Sequence, residues 1–137
     1  MGRYANLIGW LITLSLFLTL LNYPIKAVYR KWVSKMDKET SFRKGYLKVQ
    51  QFLIKNHRWF AISATVFLIA HLILQIQYRW FSRTGALAAG LLILNIFLGA
   101  YGHYIRKKKK SAWLYLHRIV AVLVIAAIVL HIVSGGR

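Results

Sequence analysis

Residues 112–133 read AWLYLHRIVAVLVIAAIVLHIV, and Arg118 is the one charged side chain among these 22 positions. A helix that crosses the roughly 30 Å hydrocarbon core of a bilayer needs about 20 such residues. Apolar and polar side chains do not alternate here, which favours a helix over a barrel strand. Because a helix also satisfies its backbone amides within its own segment, the stretch predicts a transmembrane helix at about 112–133.

Three further stretches have the same character. No Asp, Glu, Lys or Arg occurs in residues 4–25, 59–78 or 84–105. We therefore predict four transmembrane helices, at about 5–29, 58–80, 84–105 and 112–133. They form an all-α, integral membrane four-helix bundle, one domain over residues 1–137. The first apolar run is too long for the core of a signal peptide, so we expect it to persist as a helix.

The composition excludes most classes of soluble enzyme. Hydrophobic residues make up 58% of the 137 positions and the mean hydropathy is +0.50, more apolar surface than a soluble domain of this size buries. Without cysteine there are no disulfides, iron–sulfur clusters or thioether-linked haem. Asp37 and Glu39 are the only acids, so paired-carboxylate catalysis, carboxylate metal cages and a Ser-His-Asp triad lack parts.

The basic residues predict the topology. Sixteen of the 20 Lys and Arg fall in two connections, 26–58 and 106–118. The other four, expected on the opposite side, are Arg3, Arg79, Arg83 and Arg137. The positive-inside rule then places both connections in the cytoplasm and both termini outside, in a multi-pass protein of the cell membrane. Topology and contact with anionic membrane lipid account for the net charge of +18, so nucleic acid is not expected as a partner.

The segment 30–56, between the first and second predicted helices, has a helical apolar pattern. Its apolar side chains recur at spacings of 4, 3 and 4, at Phe42, Tyr46, Val49 and Leu53. Lysines fall between them, which predicts an amphipathic helix on the inner leaflet. The alternative is a solvated basic linker that serves only the topology.

Four of the five histidines form two pairs of equal spacing. His57 and His71 stand at positions i and i+14 of the second predicted helix, and His117 and His131 stand at i and i+14 of the fourth. Such a step makes nearly four helical turns and rises about 21 Å, so each pair lies on one face with one histidine near each leaflet. Because these two helices run in the same direction, His57 can oppose His117 and His71 can oppose His131.

Two such bis-imidazole levels between apolar helices suit two haem b groups, whose irons take two axial nitrogens each. Zinc would need three or four ligands close together. Intramembrane ionisable residues are costly and usually functional. The spacing therefore predicts His57, His71, His117 and His131 as axial ligands. The alternatives are histidines that only pack between helices, or a single haem.

Three other features accompany the pairs. Arg58 and Arg118 directly follow the inner histidines and can bind haem propionates, or they simply mark the membrane ends. His103 lies beside two tyrosines near the inner end of the third helix. It could contact propionates, shuttle protons or line a quinone pocket, or be a plain interfacial histidine. Gly85 and Gly99 also stand at i and i+14 and would admit either a flat ring or a neighbouring helix.

Residues 57–72 and 117–132 share the pattern His-Arg-x-x-Ala-x9-His-aliphatic. With four histidines on alternate helices, the chain resembles the di-haem membrane cytochromes b. These include the core of respiratory cytochrome b and, closer to this pattern, the ferric-reductase-like transmembrane domain of NADPH oxidases and metalloreductases. The resemblance covers residues 5–133. It implies that the four histidines are axial ligands and that electrons cross the bilayer one at a time.

The resemblance also implies the partners. An inner-side reductase, flavin or quinol would donate electrons to an outer-side acceptor, so the chain would be an electron-transfer protein or the transmembrane subunit of an oxidoreductase. No Gly-rich phosphate loop occurs, so we expect the donor on another chain. One alternative is a haem-bearing membrane anchor subunit that links a partner dehydrogenase to the quinone pool. Another is a non-redox or designed membrane bundle.

Overall fold

The computed structural model describes residues 2–78, 82–107 and 111–134. Nearly all of these residues are helical, and within these ranges no strand occurs. Four helices are long and apolar enough to cross a membrane. The all-α class and the number of predicted spans are thereby confirmed, and the chain is consistent with a multi-pass membrane protein.

The described residues form five α-helices. They are α1 (Gly2–Leu20), α2 (Asn22–Lys31), α3 (Ser41–Tyr78), α4 (Arg83–Ala100) and α5 (Ala112–Val133). A 3₁₀ turn, Val33–Lys35, follows α2, and a π-helical turn, Tyr101–Ile105, continues α4. The fourth predicted helix has its expected bounds. Three parts of the sequence-based predictions lie outside the described residues: the end of the second helix at 79–80, the basic run 108–110, and Arg137.

Pro24 removes one hydrogen bond from the first predicted helix. Proline has no backbone N–H, so the carbonyl of Leu20 loses the donor that would lie four residues further on. The helical hydrogen bonds on either side persist, from the Leu21 N–H to the Phe17 oxygen at 3.1 Å and from the Ile25 N–H to the Leu21 oxygen at 3.0 Å. The α1 and α2 helices therefore join at Leu21, whose backbone is helical, and together form one candidate span, Tyr4–Lys35, which contains the predicted helix at 5–29.

The α3 helix is longer than the sequence indicated. It has 38 residues and begins at Ser41, whereas the second helix was predicted to begin at 58. Asn56 does not cap a new helix there; its side-chain N–H₂ donates to the Phe52 carbonyl at 2.9 Å. At 1.5 Å per residue the helix is about 57 Å long, nearly twice the hydrocarbon thickness. Much of the segment 30–56 thus belongs to this helix, and its placement on the inner leaflet stays a prediction.

Local contacts fix the entry into α3. The Asp37 carboxylate accepts the Glu39 backbone N–H at 3.1 Å, and Glu39 pairs with Lys44 at 2.6 Å on an exposed surface. Such an exposed pair contributes about 0–1 kcal/mol. The Tyr46 hydroxyl donates to the Ile25 carbonyl at 2.7 Å, which ties α3 to α2. Asp37 and Glu39, the two acidic residues of the chain, therefore both make local contacts in the turn before α3.

The chain forms two compact units, Asn6–Ala70 and Met1–Ala5 with His71–Arg137. In the second unit α4 packs against α5. The buried side chains of these two helices are small or aliphatic: Ala88, Ala89, Leu92, Val120, Val124 and Ala127. In the first unit the buried apolar residues include Ile12 and Leu16 of α1 and Leu53, Ala64 and Leu68 of α3.

Many large apolar side chains are exposed. Ile76, Phe97 and Val133 keep 78%, 69% and 79% of their surface accessible, and all three lie in candidate membrane spans or at their ends. A water-soluble monomer rarely exposes extensive apolar surface. Lipid chains are a suitable environment for these side chains, which supports lipid contact along the spans.

The π-helical turn provides a test of the packing. A Cβ atom at Gly102 would lie 2.2 Å from a carbon of the Trp113 ring, whereas one at Gly90 would meet nothing within 4 Å. We expect Gly102→Ala to destabilise the protein by about 1–3 kcal/mol through overpacking. Gly90→Ala should be neutral or stabilise it by about 0.5–1 kcal/mol. Thermal unfolding followed by circular dichroism in detergent checks this, and equal midpoints for the two variants would contradict the packing.

Candidate haem-ligand histidines

His117 lies in the second turn of α5 with its ring against α4. Its Nδ1 is 3.1 Å from the Asn95 carbonyl oxygen. A carbonyl only accepts, so Nδ1 carries the proton and donates. In a neutral imidazole the lone pair is then on Nε2, the nitrogen that ligates metal in histidines held in this way.

Two glycines of α4 make room for the rings of α5. A Cβ atom on Gly99 would lie 3.4 Å from Cε1 of His117, and one on Gly85 would lie 3.0 Å from Cε1 of His131. The glycines and the histidines share the spacing i, i+14, and they match because α4 and α5 pack in opposite directions. Both glycines therefore lie against side chains of the neighbouring helix α5, the contact being tight at Gly85 and ordinary at Gly99. Approach of a haem ring to these glycines stays a prediction.

His131 is held by hydroxyl groups. Its Nδ1 is 3.1 Å from Thr84 Oγ1 and 3.3 Å from Ser82 Oγ. Ser82 also caps α4, where its Oγ accepts the Gly85 backbone N–H at 3.0 Å. Ser82 and Thr84 were not predicted from the sequence. Two hydroxyl residues at the start of the third predicted helix could have indicated them, because that end of the helix was expected to lie beside His131.

The two histidines of α3 have backbone partners on α1. In one unit the Nδ1 of His71 is 3.1 Å from the Ala5 carbonyl oxygen. In the other unit the Nδ1 of His57 is 3.1 Å from the Thr19 carbonyl oxygen. The two acceptor residues again stand at i and i+14 in the chain. Both rings are therefore Nδ1–H donors, like His117.

Three of the four candidate ligands thus share one arrangement, an Nδ1–H that donates to a backbone carbonyl and an Nε2 that carries the lone pair. Each predicted level needs only two nitrogens. Among the residues described, no group of three or more His, Cys, Asp or Glu side chains could hold a metal ion. The pairing of His57 with His117, and of His71 with His131, stays a prediction.

Two buried amide groups lie near these histidines. Gln75 is one turn beyond His71 on α3, and Asn95 supplies the carbonyl that holds His117. Their side-chain oxygens are buried and have no hydrogen-bond partner within the described part of the chain. An unsatisfied buried polar group costs about 1–3 kcal/mol, so a polar substituent of a bound group would be favoured there. These oxygens need a hydrogen-bond donor, which an ionised haem propionate, an acceptor only, does not supply.

The two arginines that follow the inner histidines are both exposed. The guanidinium carbon of Arg58 lies 5.7 Å from the centre of the Trp59 ring, a cation–π distance. An exposed guanidinium at the end of a span is accessible to a carboxylate at the polar boundary. Propionate binding by Arg58 and Arg118 stays a prediction.

His103 lies in the π-helical turn rather than in regular helix. Its ring is edge-on to that of Tyr104, with centroids 4.8 Å apart. Trp113, which packs on Gly102 of the same turn, is also 6.4 Å from the ring centre of His117. Single π-helical turns are frequent at functional sites. Trp113 thus lies against both the π-helical turn and the candidate ligand His117.

Comparison with protein-family models, with curated proteins and with solved structures found no match for this chain.

The hydrogen bonds predict the tautomers. In protein labelled with ¹⁵N-histidine and purified in detergent, we expect His57, His71 and His117 to be the Nδ1–H tautomer, because a carbonyl oxygen can only accept. Long-range ¹⁵N–¹H correlation spectra distinguish the two ring nitrogens. His103, for which no carbonyl contact is seen in the described ranges, serves as the internal comparison. An Nε2–H tautomer at any of the three would contradict the described site.

Proposed function

We propose that this chain is a membrane cytochrome b with four transmembrane helices and two haem b groups that carries electrons across the bilayer. The observation that supports it most is the repeated Nδ1–H···O=C bond at His57, His71 and His117. Such bonds fix the ring orientation and raise the basicity of the ligating nitrogen in metalloproteins. These three bonds, on histidines of one repeated spacing, give all three rings the same tautomer and leave the lone pair on Nε2.

In this proposal His57 and His117 hold one haem and His71 and His131 hold the other. A bound haem supplies one-electron redox chemistry. The chain contributes the axial nitrogens, the hydrogen bonds that keep each imidazole plane in place, and apolar side chains that exclude water. Gly85 and Gly99 let the imidazoles lie close to α4. Arg58 and Arg118 bind the propionates of the inner haem, where carboxylates meet the polar boundary.

The distance across the bilayer calls for two haems. The two histidine levels are separated by about 21 Å along the helices, in a hydrocarbon core of roughly 30 Å. One haem near each leaflet brings each group close to its own membrane surface. An inner-side reductase, flavin or quinol donates, and an outer-side acceptor receives the electron. An inside-negative potential favours outward electron movement by about 2.3 kcal/mol per 100 mV.

The basic connections provide the inner docking surface. Ten Lys and Arg residues lie in 26–58 alone. A surface of this charge attracts an acidic reductase or the phosphate of a flavin and raises the rate of encounter. The topology that places it in the cytoplasm follows from the positive-inside rule.

The haem content tests the proposal. We expect a Soret band, a reduced α band and two haem b per chain in a pyridine haemochrome assay. His71→Ala should remove only the outer haem and His57→Ala only the inner one, since each loses one axial nitrogen. His103→Ala is the control and should keep both. A protein without a Soret band, or a His57→Ala/His71→Ala variant that keeps both haems, contradicts the proposal.

A second candidate function is a haem-bearing anchor subunit that exchanges electrons with quinone. The observation that favours it is the π-helical turn, which places His103 beside Tyr104 and joins through Trp113 to His117. A quinone site needs polar groups of this kind near a haem and a membrane surface.

Reduction kinetics separate the two functions. If the chain is a quinone-linked anchor, a quinol should reduce the haems rapidly, and His103→Ala should slow that reduction because it removes a quinone contact. If the chain is ferric-reductase-like, reduced flavin should reduce the haems and quinol should not. Stopped-flow absorbance of the purified protein with each donor measures both rates.

A further inference from the structure

His131 differs from the other three candidate ligands in what holds it. Their Nδ1 atoms donate to backbone carbonyls, whereas the Nδ1 of His131 faces the hydroxyls of Thr84 and Ser82. A substitution cannot delete a backbone carbonyl, but it can delete a hydroxyl. The fourth ligand is therefore the one whose hydrogen bond the sequence can adjust.

Hydroxyl groups surround the Nδ1 atom of His131. Ser134 Oγ donates to the carbonyl oxygen of His131 at 3.1 Å and lies 3.3 Å from Thr84 Oγ1. Thr84 Oγ1 is in turn 3.1 Å from the Nδ1 of His131. If the Nε2 of His131 binds a metal, its Nδ1 carries the proton and donates to a hydroxyl oxygen, and Thr84 Oγ1 is the nearer of the two described hydroxyl oxygens beside it.

Ser82 supports this arrangement from the other side. Its Oγ accepts the Gly85 N–H at 3.0 Å as the cap of α4, and it lies 3.2 Å from Thr84 Oγ1 and 3.3 Å from the His131 Nδ1. Gly85 lets the ring approach, because a Cβ atom there would be only 3.0 Å from the ring carbon Cε1. Thr84 Oγ1 thus lies within hydrogen-bond distance of the hydroxyls of Ser82 and Ser134.

We propose that Thr84 is the positioning residue of His131 and makes it the weakest electron donor of the four ligands, so that the haem on His131 has the higher midpoint potential. An alcohol oxygen is a weaker hydrogen-bond acceptor than an amide carbonyl. It withdraws the Nδ1 proton less, and the Nε2 atom becomes less basic. A less basic axial ligand stabilises ferric iron less, which favours the reduced haem.

This inference rests on the proposed function and adds a direction to it. Bound haems would supply one-electron chemistry, with His71 and His131 as the residues that would hold the group beside Thr84. Because His57, His71 and His117 are held by carbonyls, a higher potential at the haem on His131 would favour transfer of one electron toward that level, with no bond or proton exchanged.

Potentiometry of Thr84 variants tests the inference. Stepwise reduction followed at the α band should resolve two midpoint potentials in the unmodified protein. Thr84→Val removes the hydroxyl with little change in shape and should shift the higher potential upward, leaving the lower one in place. Thr84→Ser keeps the hydroxyl and should restore the original value. Thr13→Val, which deletes a hydroxyl bonded to the Gly9 carbonyl of its own helix, is the control and should shift neither.

The single-haem variants assign the shift to a site. Thr84→Val should raise the potential of the haem that remains in His57→Ala and leave that in His71→Ala unchanged. A second readout is the Nδ1–H resonance of His131 in the reduced, diamagnetic protein, which should move in Thr84→Val alone. Haem bound in both sites with no shift in potential overturns this inference and leaves the proposed function standing. A protein that binds no haem overturns both.

Discussion

The described structure depends on the pairing of imidazole N–H groups where water is scarce. Inside a bilayer no solvent satisfies a polar group, so each N–H that enters must find an acceptor in the protein. A helical carbonyl has a second lone pair beyond its own helical bond, and Thr19, Ala5 and Asn95 use theirs for histidine. Each histidine therefore determines which turn of a neighbouring helix lies beside it.

Small residues make these contacts possible. Lipid chains are as apolar as leucine, so membrane helices associate through close packing and hydrogen bonds. On α4, Gly85 and Gly99 face the rings, while Ala88 and Ala89 are buried between them in sequence. The contact is tight at Gly85, beside His131, whereas a Cβ atom at Gly99, beside His117, would meet the ring at an ordinary distance. The histidines are oriented in this way without a carboxylate, in agreement with the absence of Asp and Glu from residues 41–134.

The helix boundaries show which ends of helices can be predicted from local sequence and which cannot. The bounds of α5 were predicted from the length of its apolar run, residues 112–133, in which Arg118 is the one charged side chain. The start of α3 was not predicted correctly. The apolar run that marks the membrane span begins near residue 59, but a helix can extend beyond such a run wherever no helix-breaking residue ends it. From residue 46 to 58 no glycine or proline does so. Pro24 removes the donor to the Leu20 carbonyl, yet the first span continues through it, because one missing hydrogen bond does not end a helix in this apolar run.

The sequence by itself determined the four apolar spans, the concentration of basic charge in two connections, and the repeated i, i+14 spacing of histidines and glycines. These follow from length and helical period, which are local properties. Only the tertiary structure decided which atoms hold each imidazole, and that the hydroxyls of Thr84 and Ser82 hold His131. Periodicity places a residue on a face of its helix, whereas the rotation and register of the neighbouring helix depend on packing between residues far apart in the chain.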